Sequence, residues 1–194
     1  LKEKEKTALS QSIPVLLPHL LFIPFLVILL SENMGVIKIS QTLKTQVTPS
    51  RMFKAVVLDS HNLCPKLMPS LIKSIEFIEG DGEVGSIKQM NFTEAIPFRY
   101  VKHRIDVLDK ENFTSKYTLI EGDDVVTDKL ESITYGFKFD KYGYSGCVCK
   151  ISCEYKTKEN VEINEEELQL GKGISIAMCE AVQGYLMAHP HAYT

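Results

Sequence analysis

The segment Gly80-Asp81-Gly82-Glu83-Val84-Gly85 constrains this chain most, because its glycines follow the spacing of a dinucleotide-binding loop without the surroundings of one. Such a loop needs a strand before it and a helix after it, so that backbone N–H groups and the helix dipole meet the phosphates. Residues 71–79 read as a strand, but so do residues 86–93, in which Ser86, Lys88 and Asn91 are interleaved with Ile87, Met90 and Phe92. A glycine turn between two strands offers no helix N-terminus to an anion. The P-loop is excluded as well, since Ser86 and Ile87 stand where it requires Lys and then Ser or Thr. His103-Arg104-Ile105-Asp106 breaks the spacing of a kinase catalytic loop, and no Asp-Phe-Gly is present. What remains is a stiff β-turn shaped by Gly80, Gly82 and Gly85.

The same alternation organises the rest of the chain. Strands are expected at 36–45, 71–79, 86–93, 98–108, 113–121, 130–140 and 147–157, each closed by a turn signal such as Asp109-Lys110-Glu111-Asn112 or Tyr142-Gly143-Tyr144. Pro49 opens a short helix through Leu58, and a second short helix is expected from Asn62 to Met68. Asn164 followed by three glutamates marks the N-terminus of a long last helix reaching about Ala188. The pattern predicts an α+β fold: a curved seven-stranded antiparallel sheet, two short helices in a V, and one long C-terminal helix. A concave sheet facing one helix leaves a volume that ordinary side chains do not fill, the usual place for a small-molecule site. The helix is thin where it would face that volume, at Gly171, Gly173 and Ser175.

Composition narrows the function classes. With 22 Lys and Arg against 25 Asp and Glu the net charge is −3, and Lys102-His103-Arg104 is only a short basic patch, so no nucleic-acid footprint is expected. Cys147, Cys149 and Cys153 share one strand face with Tyr155, and with Cys64 and Cys179 they read as small core residues in a reducing compartment. His189 and His191 lack a third ligand and read as a solvated tail, so no metal and no cofactor are expected. Residues 13–30 are almost wholly apolar but interrupted by Pro14, Pro18 and Pro24. Residues 1–33 therefore read either as an upstream extension or as a secretory signal or anchor, and residues 34–194 as one ligand-binding domain.

Met34-Gly35-Val36, Arg51-Met52-Phe53-Lys54-Ala55, Asn62-Leu63-Cys64-Pro65-Lys66, the loop 79–88, Ile120-Glu121-Gly122-Asp123 and Tyr185-Leu186-Met187-Ala188-His189-Pro190 together resemble the pathogenesis-related class-ten plant proteins, the group of the major birch-pollen allergen. The resemblance covers residues 34–194. It implies a helix-grip fold with a large apolar cavity that binds small hydrophobic plant metabolites such as cytokinins, flavonoids or sterols. It also implies a cytoplasmic, mainly monomeric protein of defence and stress responses, with membrane contact only if 13–30 serves as an anchor. By this likeness Met90, Phe92, Phe98, Tyr100, Tyr135, Phe137, Ile174 and Met178 would line the cavity, with Gly171 on the helix and His103, Tyr117 and Tyr135 supplying polar groups. The family's glycine loop has a further glycine where Glu83 stands, which implies local strain if that position requires positive φ.

Catalytic alternatives leave gaps in the same residues. The ribonuclease constellation proposed for some relatives maps to Glu131, Tyr185 and Lys88, but its second acid falls on Gln183, an amide that cannot exchange the required proton. Lys88 is there expected to be a solvated strand lysine. A norcoclaurine-synthase-like reading keeps Tyr100 but places Lys102 and Ser115 at the acid and amine positions. An abscisic-acid-receptor reading lacks both switch motifs, with Thr93-Glu94-Ala95-Ile96-Pro97 at the gate and Asp124-Val125-Val126 at the latch. The expected function is binding without dedicated catalysis.

Overall fold

In the computed structural model, which describes residues 27–29, 35–123, 129–158 and 165–194, all seven expected strands are present. In chain order the elements are β1 (Val27–Leu29), β2 (Val36–Thr45), α1 (Pro49–Phe53) running into a π-helical turn (Lys54–Leu58), α2 (Ser60–Leu67), β3 (Ile72–Glu79) and β4 (Ile87–Phe92). They continue with β5 (Tyr100–Asp109), β6 (Thr114–Gly122), β7 (Leu130–Tyr142), β8 (Gly146–Thr157) and α3 (Glu165–Ala188). The strands form one antiparallel sheet in the order β1-β2-β8-β7-β6-β5-β4-β3. Val27–Leu29 adds a short strand on β2 beyond the seven; the rest of the apolar run 13–30 lies outside the described residues. No helix among the described residues is long and apolar enough to cross a membrane.

Period-two patterning decides which face of the sheet is dry. On β8, Cys147, Cys149, Ile151, Cys153 and Tyr155 are buried while Lys150, Ser152, Glu154 and Lys156 are exposed. All five cysteines are free thiols. On β7 the inward Ile133, Phe137 and Phe139 continue the same layer, and Phe139 meets Phe53 of α1 edge-on at 6.1 Å. The two short helices close this end of the sheet because Pro49 fixes the first helical φ of α1 and Leu63 N–H bonds the Asp59 carbonyl as α2 begins.

Helix α3 is held hardest at its C-terminal end. Cys179, Val182 and Leu186 are fully buried there against the short helices, whereas Gly171 and Ile174, nearer its start, are only half-buried. Last-turn carbonyls have no partner within a helix, and Arg51 of α1 supplies one. Its Nη2 donates to Leu186 O at 3.0 Å and His189 O at 2.7 Å, and its Nε donates to Ala192 O at 2.8 Å. Lys54 Nζ donates to Thr194 O, and the Tyr193 hydroxyl donates to the Asp59 carboxylate. Hydrogen bonds from a charged group contribute about 1.5–3 kcal/mol each before coupling. Arg51→Met is therefore expected to lower stability by about 3 kcal/mol in denaturant unfolding, and Arg51→Lys to recover less than half of it, because one ammonium cannot reproduce the fork. Equal stability of Arg51→Lys and the native protein would show the planar geometry to be irrelevant.

Candidate functional site

The glycine turn is a built element. Gly80, Gly82 and Gly85 have φ of +77°, +103° and +93°, which L side chains rarely adopt. A Cβ on Gly80 would come within 2.3 Å of Ser86 Oγ, the atom that accepts the Gly82 N–H at 3.1 Å. The turn is tied to β5 by Gly85 N–H to Ile105 O at 2.8 Å and by Ile105 N–H to Ser86 O at 2.9 Å. Glu83 does not carry the expected strain. Its φ is not positive, since among the described residues only Phe113 and Tyr193 are non-glycine exceptions, and its carboxylate pairs with Lys110.

Behind this turn the concave face of the sheet carries a stripe of polar and aromatic side chains. Lys88 on β4 and His103 on β5 are cross-strand partners pointing inward. His103 reaches across β6 to meet the Tyr135 ring on β7 edge-on at 5.4 Å, a contact between strands two apart that only a strongly curved sheet permits. Tyr117 on β6 is buried and meets Phe137 at 6.3 Å. On the helix side, a Cβ on Gly171 would lie 3.3 Å from both the Tyr135 and the Tyr155 hydroxyl oxygens. The glycine thus lets two phenol tips reach the α3 backbone, where the Tyr155 hydroxyl donates to Leu168 O at 3.5 Å.

Lys88 is not the solvated strand lysine expected of it. Only 7% of it is exposed, its Nζ donates to Ser60 Oγ at 2.9 Å, and it sits 5.3 Å from the Phe77 ring centre and 5.6 Å from that of Tyr117. Burial pushes its pKa down to about 8, against the opposing pull of Cys64. His103 falls to about 4, first through burial and then through the nearby Lys88 charge. Burial also raises Tyr117 and the Cys64 thiol, each to about 12, and lifts the Tyr135 phenol well above its ordinary range. At neutral pH the stripe holds one ammonium, one neutral imidazole and neutral phenols.

The other expected lining residues divide by position. Met90 and Ile174 are half-buried, while Phe137 and Met178 are buried. Tyr100 is a correction: strand alternation puts it on the outer face, opposite Val101 and His103, where its hydroxyl donates to Glu121 at 2.8 Å beside Lys102. Phe92 and Phe98 pair edge-on at 5.0 Å and border an open cleft of about 530 Å³ at the β3–β4 edge, among the charged Lys73, Glu76, Glu94 and Arg99. The ribonuclease set is spread over three settings. Glu131 is exposed and pairs with Lys156 at 2.6 Å, Tyr185 stacks on His189 at 4.3 Å near the helix end, and Lys88 is buried. The latch position 124–126 lies outside the described residues. Sequence reasoning missed Ser60 and Tyr155 as partners of the site; Tyr155 was signalled by its parity with the inward cysteines, whereas no local pattern marks Ser60.

The family model for the pathogenesis-related protein Bet v 1 family matches residues 34–189. The chain belongs to that family. Among its relatives are the pathogenesis-related protein STH-2 of Solanum tuberosum, 48% identical over 82% of this chain and 99% of the relative, and the major allergen Pru av 1 of Prunus avium, 44% identical over the same shares. The crystal structure of Ara h 8.0201 superposes with a TM-score of 0.70 at 32% identity, covering 80% of this chain and 100% of that one. Norcoclaurine synthase from Thalictrum flavum, at a TM-score of 0.64 and 23% identity over 79% of this chain and 88% of that one, shares the fold alone.

Two outcomes follow for this family member. Gly80→Ala is expected to cost about 1–3 kcal/mol from the left-handed φ and the Ser86 clash, read as a lowered unfolding midpoint. His103 binds a proton in the unfolded chain at its ordinary pKa of 6.5 but resists it in the fold until about 4. The unfolded state therefore holds more protons in that window, so the His103 contribution is complete above pH 6.5 and lost as pH falls toward 4, by up to about 3 kcal/mol. Denaturant unfolding at pH 4.5 and 7 should show this limb, and His103→Leu should flatten it. An imidazole signal titrating near 6.5 in the folded protein would contradict the burial argument.

Proposed function

We propose that the protein binds small, largely apolar plant metabolites between the concave sheet and helix α3, as part of a defence or stress response, without dedicated catalysis. The observation that carries this reading is the convergence of His103, Tyr117 and Tyr135 on one concave surface, facing a helix that presents a glycine, Gly171, to the tyrosine tips. Neutral imidazole and phenol groups orient a ligand at little desolvation cost, and aromatic walls supply the affinity. His103, Tyr135, Met90 and Ile174 keep contactable surface although they stand on the inward faces, which fits an interior with room in it. Membership of a family of pathogenesis-related proteins and allergens supports the physiological setting.

Cytokinins, flavonoids and sterols are the ligand classes to try, since each joins a rigid apolar body to one or two polar groups. Calorimetric titration of the protein with one member of each should give saturable micromolar binding for at least one. Gly171→Leu places a branched side chain against the Tyr135 and Tyr155 hydroxyls and should weaken that binding at least tenfold, with circular dichroism unchanged. Absence of saturable binding across the panel would defeat the proposal. So would full affinity in a folded Gly171→Leu variant, which would put the ligand elsewhere.

A further inference from the structure

We propose that Lys88 is the anchor for an anionic group, and that the preferred ligands of the interior are apolar carboxylic acids bound as carboxylates. The inference deepens the binding function proposed above and rests on it. Among the residues whose side chains are described, the buried charged ones are Lys88 and Lys172, and no Asp or Glu of that set is buried. No carboxylate among the described side chains lies within ion-pair distance of Lys88, which meets one hydroxyl and two rings. An ammonium has three N–H donors, and Ser60 Oγ takes one. The Phe77 and Tyr117 ring faces offset part of the desolvation of the cation but give it no counter-charge. A ligand carboxylate would supply both the missing acceptor and the missing charge.

The neighbours of Lys88 make it the group that responds to pH. His103, across the strand pair, stays neutral above about pH 4. The Cys64 thiol of α2 and the Tyr117 phenol of β6 stay neutral to about 12. Phe77 on β3 and Ser60 on α2 do not titrate. Asp59, next to Ser60, accepts from Tyr193 and Asn62, and Lys172 on α3 lies near Cys153. Of Lys88, His103, Cys64 and Tyr117, the group whose protonation changes between pH 6 and 10 is therefore Lys88, at about 8 in the free protein. A bound anion favours the protonated amine, so binding near pH 8 takes up a proton. At pH 6.5 the amine is already charged and binding takes up almost none. Binding of the acid weakens as pH rises above 8, because the free amine must then be protonated.

The test compares 1-naphthaleneacetic acid with its isosteric uncharged amide, 1-naphthaleneacetamide, by calorimetry on the protein. Titrations at pH 6.5 and 8 are run in phosphate and in Tris, whose different ionisation heats report proton uptake. The inference predicts at least tenfold tighter binding of the acid, uptake of roughly half a proton at pH 8, and little at pH 6.5. Lys88→Met should erase both the preference and the uptake while leaving amide affinity within about threefold. The uptake is read on the native protein and stands even if the variant folds poorly. Acid and amide bound equally well without proton uptake would overturn the Lys88 anchor and leave the binding proposal intact. Binding of neither, with the wider panel also negative, would overturn both.

Discussion

The architecture depends on how the C-terminal end of α3 is fastened. Three carbonyls, one in its last turn and two just beyond it, converge on one guanidinium, Arg51, and the chain end is held again through Lys54 and Tyr193. These contacts, with Cys179, Val182 and Leu186 fully buried beneath them, give the helix a fixed root. The nearer half is then set by geometry more than by packing. At Gly171, nearer its start, the helix presents backbone to the phenol tips of Tyr135 and Tyr155.

Charge is distributed with a comparable asymmetry. The outer face carries exposed pairs such as Lys38 with Glu154, Lys102 with Glu121 and Lys150 with Asp140, each of little net energetic weight in solvent. Among the described side chains the interior holds no acid, and it holds a lysine that donates to a serine hydroxyl. Burying an unpaired ammonium costs stability, and the lowered Lys88 pKa is that cost expressed as proton affinity. A purely structural core would replace Lys88 with an apolar side chain of similar length, for instance methionine.

Much of this was legible in the sequence, for a physical reason. Strand alternation is a local property, so β2 to β8, the turn between β3 and β4, and the inward parity of the cysteines could all be read from neighbours two residues apart. Gly171 stood out because a glycine inside a helix has a local cost that asks for an explanation. The failures share a cause as well. Lys88 lies on the inward parity with Met90 and Phe92, yet its charge argues for solvent; Ser60 from α2 and the Phe77 and Tyr117 rings, all distant in sequence, accompany its burial. Tyr100 was placed on the wall by resemblance, although its parity with Lys102 puts it outside. In the turn, positive φ falls on Gly80, Gly82 and Gly85 and not on Glu83, whose side chain is free to meet Lys110. Long-range partners decided each case, and no local pattern encodes them.

The central claim is that the ligand lies between α3 and the hollow of the sheet. The most direct measurement is a set of intermolecular nuclear Overhauser effects between a saturating, unlabelled apolar ligand and the isotope-labelled protein. The account predicts cross-peaks from ligand protons to the His103 and Tyr135 rings and to the Gly171 α-protons, with none to Tyr100. Cross-peaks confined to Phe98, Pro97 and Arg99 at the β3–β4 edge cleft would contradict it.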